Sequence, residues 1–147
     1  MNSEEMKQEY VRRNSRNPFI RHNGIEVVSI EPDHAVLQLT IRPESLNLYG
    51  LVHGGAIYAM ADNAAGSAAS TDGRSYVTQA SKMHFLRNQA EGTVRAEARV
   101  RHRGRSTVLI AVDVRGEEEK LLATGEFSFF CVDRARMEQK GAGAGKT

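Results

Sequence analysis

The sequence predicts an α+β domain in which one long central helix is wrapped by a curved antiparallel β-sheet. The first observation is a long helical pattern over residues 53–70 that is rich in small side chains. The second is that four strand-like stretches follow this helix with no helical segment between them. Strands joined directly pair antiparallel, as in a meander, whereas a parallel sheet needs helical crossovers. A doubly wound parallel sheet is therefore excluded.

The chain of 147 residues has the length of a single domain, and its charge divides it into three segments. Residues 1–23 form a polar lead-in of charge +2, with a helical stretch expected over residues 3–13. Residues 24–133 form the domain and carry −3, while residues 134–147 form a basic tail of +3 for which we expect disorder. The positive surplus lies at the ends of the chain, so a nucleic-acid-binding function is not expected.

Composition also bounds the compartment and the chemistry. The single cysteine, Cys131, excludes an internal disulfide, and five scattered histidines do not form a metal-binding pattern. Residues 1–7 are polar and include acids, unlike a signal peptide, and no apolar run approaches the roughly 18 residues of a membrane span. We therefore expect a cytoplasmic protein with no membrane partner, no metal and no cofactor.

The domain is expected to open with strands. A strand-like pattern begins at Gly24, and residues 34–41 alternate apolar and polar side chains with the period of two of a half-buried strand. Pro43 ends this strand, because proline cannot donate to a sheet ladder. A loop over residues 44–52 then leads to the helix.

The helix over residues 53–70 contains seven alanines, three glycines and few large side chains. Small residues allow close packing, so we expect this helix in the core. Asp62 is the exception in its middle, because a carboxylate in a core helix seldom contributes to stability. We expect a chemical role for Asp62; the alternative is a buried acid satisfied by backbone or hydroxyl groups.

Four strands are expected after a turn at Asp72 and Gly73. They are separated by turns that contain glycine or asparagine, and they cover residues 76–87, 93–103, 107–115 and 120–132.

The start of the helix carries the first chemical signal. The helix opens with His53, Gly54 and Gly55, although glycine is a poor helix former. A bare backbone lets a ligand approach the first free N–H groups, which together with the helix dipole stabilise negative charge. By themselves, the glycines fit equally well with a tight turn from loop to helix.

The spacing of Gly54 and Asp62 carries the second signal. The two residues lie eight positions apart, which is about 12 Å along the helix axis and roughly 80° around it. One reacting group cannot contact both within one chain. If both are catalytic, a second subunit must contribute its Asp62 from an antiparallel helix, which predicts two sites per dimer at the subunit interface.

These residues form a motif known from one family. Residues 47–56 read NLYGLVHGGA, and Asp62 follows the histidine of this stretch by nine positions. The pattern resembles the active-site motif of the hotdog-fold acyl-CoA thioesterases of the phenylacetate-degradation type. Residues 85–87 and 100–105 are also similar to that family's later strand motifs, and the resemblance covers residues 20–132.

The resemblance implies a catalytic set with a role for each member. The Gly54 N–H would donate to the thioester carbonyl oxygen, and Asn47 would orient the thioester or the attacking water. Asp62 of the partner chain would act as general base or nucleophile, and Thr78 would assist that carboxylate. His53 is expected to hold the loop rather than to act as a base, because a helix N-terminus disfavours a charged imidazolium.

A second set is expected to bind the acyl-CoA substrate: Gly55, Phe85, Arg87, Arg103, Gly104 and Arg105. Arg103 and Arg105 would contact the coenzyme A phosphates, since guanidinium groups suit phosphate oxygens. The period of two places Arg99, Arg101 and Arg103 on one face of their strand, so a solvated strand face is the alternative.

We therefore expect an acyl-CoA thioesterase that self-associates as a homodimer or a dimer of dimers. Water attack assisted by a carboxylate suffices for a thioester, and the Gly-x-Ser-x-Gly motif of serine hydrolases is absent. Two alternatives use the same fold: a non-catalytic acyl-CoA-binding or sensor protein, and a dehydratase or hydratase.

Overall fold

The computed structural model describes residues 2–132. The regular elements are, in chain order, α1 (Ser3–Ser15), α2 (Pro18–His22), β1 (Ile25–Glu31), β2 (His34–Thr40), α3 (Gly54–Ala69), β3 (Ser75–Phe85), β4 (Thr93–Arg103), β5 (Thr107–Arg115) and β6 (Leu121–Val132). The ends of the predicted elements agree with these bounds to within two residues, while the short helix α2 is not predicted by the sequence pattern. The predicted basic tail lies outside the described residues. Within residues 2–132, no helix combines the length and the apolar character that crossing a membrane requires.

All six strands belong to one antiparallel sheet, in the order β1-β2-β4-β5-β6-β3. The antiparallel prediction is confirmed, but a simple meander is wrong for β3, which pairs with β6 at the far edge instead of with β4. The reason is the path of the chain. Helix α3 carries it from β2 across one face of the sheet to that edge, and residues 86–92 return it so that β4 pairs with β2.

The core lies between α3 and the face of the sheet that this helix covers. Helix α3 contacts all six strands, and nine of its residues are buried. Its small residues permit this close approach: a Cβ on Gly66 would lie only 3.2 Å from the Phe129 ring. The sheet contributes the large side chains, among them Leu37, Leu39, Ile110, Leu122 and Phe127.

A β-bulge at Gln79 decides which side chains of β3 face the helix. Thr78 lies opposite Phe129 and Ser81 lies opposite Phe127, while Gln79 has no partner residue on β6. Residues opposite each other on antiparallel strands share a face, and both phenylalanines are buried. The extra residue therefore turns both Thr78 and Ser81 toward α3, although they are an odd number of residues apart.

A second bulge, at Arg101, corrects the expectation that Arg99, Arg101 and Arg103 share one face of β4. Arg99 lies opposite Ala111, but beyond the bulge Arg103 lies opposite the fully buried Val108. An extra residue reverses the alternation of side chains, so Arg103 points toward α3. Its side chain is 22% exposed, against 65% for Arg99.

Candidate active site

The loop before α3 is organised by the Asn47 side chain. Its Oδ1 accepts the N–H groups of Tyr49 at 2.8 Å and Leu51 at 3.1 Å. The Asn47 N–H also donates to the Leu51 carbonyl, at 2.8 Å. Because the oxygen is used in this way, the Nδ2 group is the part of the amide left to donate to a ligand, and it meets no acceptor among residues 2–132.

Two backbone hydrogen bonds fix the end of this loop. The His53 N–H donates to the carbonyl of the buried Ser45 at 2.7 Å, and the Val52 N–H donates to the Gln89 carbonyl at 2.8 Å. The N-terminus of α3 is thereby held against the body of the domain.

His53 caps the helix, and this leaves Gly54 as the available donor. Nδ1 of His53 accepts the Gly55 N–H at 2.8 Å. This bond requires the tautomer in which Nδ1 is the acceptor and Nε2 carries the proton. This bond fits the loop-holding role predicted for His53, and it engages the Gly55 N–H. Among the described residues, the Gly54 N–H has no acceptor.

Aromatic side chains line the gap between α3 and β3 beside Gly54. A Cβ on Gly54 would lie 3.6 Å from the Phe85 ring. The Tyr58 ring centroid lies 6.4 Å from that of Phe85 and 5.7 Å, edge to face, from that of Phe127. The Tyr58 hydroxyl is hydrogen-bonded to Ser81. Sequence reasoning misses Ser81, because only the bulge in β3 turns it toward the helix.

Asp62 is oriented by Thr78. The Thr78 hydroxyl donates to Asp62 Oδ1 at 2.6 Å, across the gap between β3 and α3. A hydroxyl that donates to a carboxylate forms a short, charge-assisted bond. Oδ2 of Asp62 receives no hydrogen bond from residues 2–132, so one oxygen is held and the other is open.

One chain therefore presents two separate half-sites on the same helix. Helix α3 is continuous, so the Gly54 N–H and Asp62 remain about 12 Å apart along its axis. The amide half-site, at the helix N-terminus, consists of Asn47, His53, Gly54 and Phe85. The carboxylate half-site consists of Asp62 and Thr78.

Among residues 2–132, no three His, Cys, Asp or Glu side chains are placed to hold a metal ion.

The three arginines expected to bind the acyl-CoA substrate are not gathered in one place. Arg87 is exposed just beyond β3, and Arg105 is exposed beside Gly104 in the turn between β4 and β5. Arg103 lies at the C-terminal end of α3, where it donates to the Ala69 carbonyl at 2.8 Å. The expectation that the Arg103 side chain lies on the outer face of β4 with Arg99 is therefore wrong. The substrate contacts of Arg87 and Arg105 stay predictions.

Comparison with known proteins gives a consistent result. The family model described as the thioesterase superfamily matches residues 49–123. The acyl-coenzyme A thioesterase PaaI of Escherichia coli is 32% identical over 68% of this chain and 72% of its own length. The 1,4-dihydroxy-2-naphthoyl-CoA hydrolase of Listeria monocytogenes is 36% identical over 67% of this chain and 83% of its own. The structure of the E. coli PaaI protein superposes with a TM-score of 0.84 at 25% identity, covering 90% of this chain and 97% of that one.

Proposed function

Because the chain belongs to the thioesterase superfamily and has its hotdog fold, we propose that it hydrolyses an acyl-CoA thioester to the free acid and coenzyme A. One observation carries the proposal: a helix whose first N–H has no acceptor among the described residues also bears a carboxylate that a hydroxyl holds in place. The N–H can polarise a carbonyl. The carboxylate can activate water for attack, or it can attack the carbonyl carbon itself.

The amide half-site would bind the carbonyl oxygen. Attack on a thioester moves negative charge onto that oxygen, and the Gly54 N–H at the positive end of the α3 dipole would stabilise it. The Nδ2 group of Asn47 would supply a second donor. Phe85 packs beside Gly54 and would exclude water from one side of the reacting group.

The carboxylate half-site would supply the base. Thr78 holds Oδ1 of Asp62, so Oδ2 would take a proton from water as the water oxygen bonds to the carbonyl carbon. Collapse of the tetrahedral intermediate would expel the coenzyme A thiolate, which takes up a proton. In the alternative route, the Asp62 oxygen itself attacks, and water hydrolyses the resulting anhydride. A single turnover in ¹⁸O-labelled water would label the Asp62 carboxylate only in the second route, when water attacks the Asp62 carbonyl of the anhydride; attack on the acyl carbonyl would place the label in the released acid.

Since 12 Å separates the half-sites, the complete site would need a second copy of the chain. Strand β3 is a sheet edge that pairs only with β6 among the described residues, and most of its residues are exposed. The side of α3 that the sheet leaves uncovered forms an open stripe of small or polar residues that are exposed or half-buried, Gly55, Ala59 and Asp62. Antiparallel pairing of two β3 edges would set the two α3 helices antiparallel across a twofold axis. The partner's Asp62 would then approach this chain's Gly54.

The wall of the amide half-site favours a flat aromatic acyl group. Phe85 and Tyr58 present rings beside Gly54, and aromatic rings pack well edge to face or offset against other rings. The listerial relative carries a naphthoyl-CoA in its name. A thiol-release assay over aryl, short-chain and long-chain acyl-CoA substrates tests the proposal, with release from aryl thioesters expected to be fastest. A folded oligomer that binds acyl-CoA but releases no thiol would instead be a binding or sensor protein.

A further inference from the structure

The densest polar contacts of the described chain lie at the C-terminal end of α3, around Arg103. Its guanidinium donates to the Ala69 carbonyl at 2.8 Å and to the Ala68 carbonyl at 3.3 Å. It also pairs with Asp33 at 2.7 Å and with Asp72 at 2.9 Å. One side chain thus joins the end of the helix, the β1–β2 turn and the segment that leads into β3.

This arrangement follows from the position of Arg103 on β4. The bulge at Arg101 turns Arg103 toward the helix, where the last carbonyls of α3 have no partner within the helix. A planar guanidinium with five donors can satisfy carbonyls and carboxylates together. With these acceptors in place, the Arg103 side chain has its partners within the protein.

The same contacts extend to the first residues of β3. The Tyr76 hydroxyl donates to Asp72 Oδ2 at 2.6 Å and accepts from Arg103 Nη1 at 3.2 Å. Tyr76 lies opposite Cys131 and Thr78 lies opposite Phe129, so Tyr76 and Thr78 share the face of β3 that looks toward α3. The residue held by Arg103 is therefore two positions from the hydroxyl that holds Asp62.

Few side-chain hydrogen bonds set the distance between β3 and the helix. Two cross the gap directly: Thr78 to Asp62, and Tyr58 to Ser81. Strand β3 is an edge strand with β6 as its one neighbour in the described sheet. We therefore expect a contact that secures the start of β3 to affect where Thr78 lies, in addition to the pairing of β3 with β6.

We propose that Arg103 is a positioning residue, which holds the start of β3 on the C-terminal end of α3 and so keeps the Thr78 hydroxyl on Asp62. This inference rests on the proposed function only in that Asp62 performs the chemistry. It reassigns Arg103 from phosphate binding to the support of the carboxylate, and it leaves Arg105 as the member of the predicted phosphate-binding pair that is available to the substrate.

A double-mutant cycle on kcat tests the route through Thr78. Thr78→Ala should lower kcat about tenfold, and Arg103→Gln should lower it about three- to tenfold with KM changed less than twofold. The double variant should be no slower than Thr78→Ala alone, since the contact that Arg103 supports is already gone. The proposal would be overturned if the losses in kcat of the two single variants multiplied in the double variant. A rise in the KM of Arg103→Gln with its kcat unchanged would overturn it as well.

Two controls separate positioning from stability. Arg101→Gln removes the same charge from an exposed position on the same strand and should leave kcat and KM unchanged. All rates are measured at least 15 °C below the lowest Tm of the set, and Arg103→Lys should recover part of kcat. If Arg103→Gln does not fold, Tyr76→Phe removes one link of the same contact and should also lower kcat without changing KM.

Hydrogen exchange provides a readout that does not depend on catalysis. Backbone amides of residues 75–81 should exchange faster in Arg103→Gln than in the wild-type protein, while those of β5 should not. Equal exchange of the β3 amides in Arg103→Gln and in the wild-type protein would contradict the proposed role of Arg103. This outcome does not depend on thiol release, whose absence in the wild-type protein would refute the proposed function instead.

Discussion

The Thr78 hydroxyl and the Asp62 carboxylate are joined by a 2.6 Å hydrogen bond that crosses from β3 to α3. The two residues are sixteen positions apart in sequence, on different elements, and the bond leaves Oδ2 of Asp62 open. This places a carboxylate with one fixed oxygen eight residues from an unobstructed helix N-terminus. The predictions below follow from these two groups and their surroundings.

Asp62→Asn keeps the size of the side chain but removes the carboxylate that is proposed as the base. We expect kcat to fall about 10²–10⁴-fold, which is the usual contribution of a general base. Substrate binding should change little. Thiol-release kinetics and calorimetric titration of a substrate analogue measure the two effects. Asp113→Asn is the matched control, since Asp113 accepts a similar hydrogen bond from Thr124 within the sheet. Loss of activity that follows only the folded fraction would mean that Asp62 is a structural acid.

Gly54→Pro tests the N–H donor itself. Proline is well tolerated at the first position of a helix, and it removes the backbone N–H that is expected to polarise the carbonyl. We expect kcat to fall about 10²–10³-fold. Gly54→Ala keeps the N–H, and its Cβ would meet Phe85 at an ordinary 3.6 Å; it should retain most of the activity. Similar losses in both variants would point to crowding instead of a lost donor.

Mixed dimers test whether one site is shared by two chains. Asp62→Asn and Gly54→Pro homodimers should both be strongly impaired, but in a heterodimer of the two, one of the two sites has both an intact Gly54 and an intact Asp62. We expect that heterodimer to recover about half of the wild-type activity per dimer. Differently tagged chains allow its purification. A verified heterodimer without activity would mean that each site is built within one subunit.

Ala59 lies on the open stripe of α3 and tests the expected helix contact between subunits. Ala59→Glu should bury a charge at that contact and shift a dimer or tetramer toward monomer at micromolar concentration, with activity lost in parallel. Light scattering and circular dichroism report mass and folding. Val11→Glu, at an exposed position on α1, is the control and should keep the native mass. A folded monomer of Ala59→Glu with full activity would refute the shared site.

Arg105 is predicted to contact a coenzyme A phosphate. Arg105→Ala should raise KM about two- to tenfold with a smaller effect on kcat, and the difference from wild type should shrink as ionic strength rises. Assays at two salt concentrations measure this. An unchanged KM would return Arg105 to a solvated position in the turn.

Asp72 should make stability depend on acid pH. Burial raises the pKa of Asp72, whereas the Tyr76 hydroxyl, the Arg74 backbone N–H and the charge of Arg103 lower it. The lowering effects together are larger, so the pKa lies below its ordinary value. The stabilisation is then present above about pH 4 and is lost as the pH falls through the lower folded-state pKa. Asp72→Asn should unfold at lower denaturant concentration at pH 7 and should flatten the acid decline. Glu26 is an exposed acid, so Glu26→Gln should change neither the stability at pH 7 nor its decline at acid pH.

The sequence predicted the elements and much of the candidate site because the relevant signals are local. Alternation over residues 34–41 defines a strand, and the small residues of 53–70 define a close-packed helix. The spacing between Gly54 and Asp62 depends only on the rise of one helix, so their separation is the same in the structure. The expectation that His53 holds the loop rather than acting as a base also follows from its place at the helix start.

Tertiary structure decided the sheet partners and the direction of individual side chains. A strand pattern does not specify its neighbour, so β3 pairs with β6 and not with β4. A bulge adds one residue to a strand, and every side chain beyond it changes face. For that reason Ser81 turns toward the helix, and Arg103 binds the end of α3 instead of facing outward. No local pattern records a bulge, because its position depends on how two distant strands align.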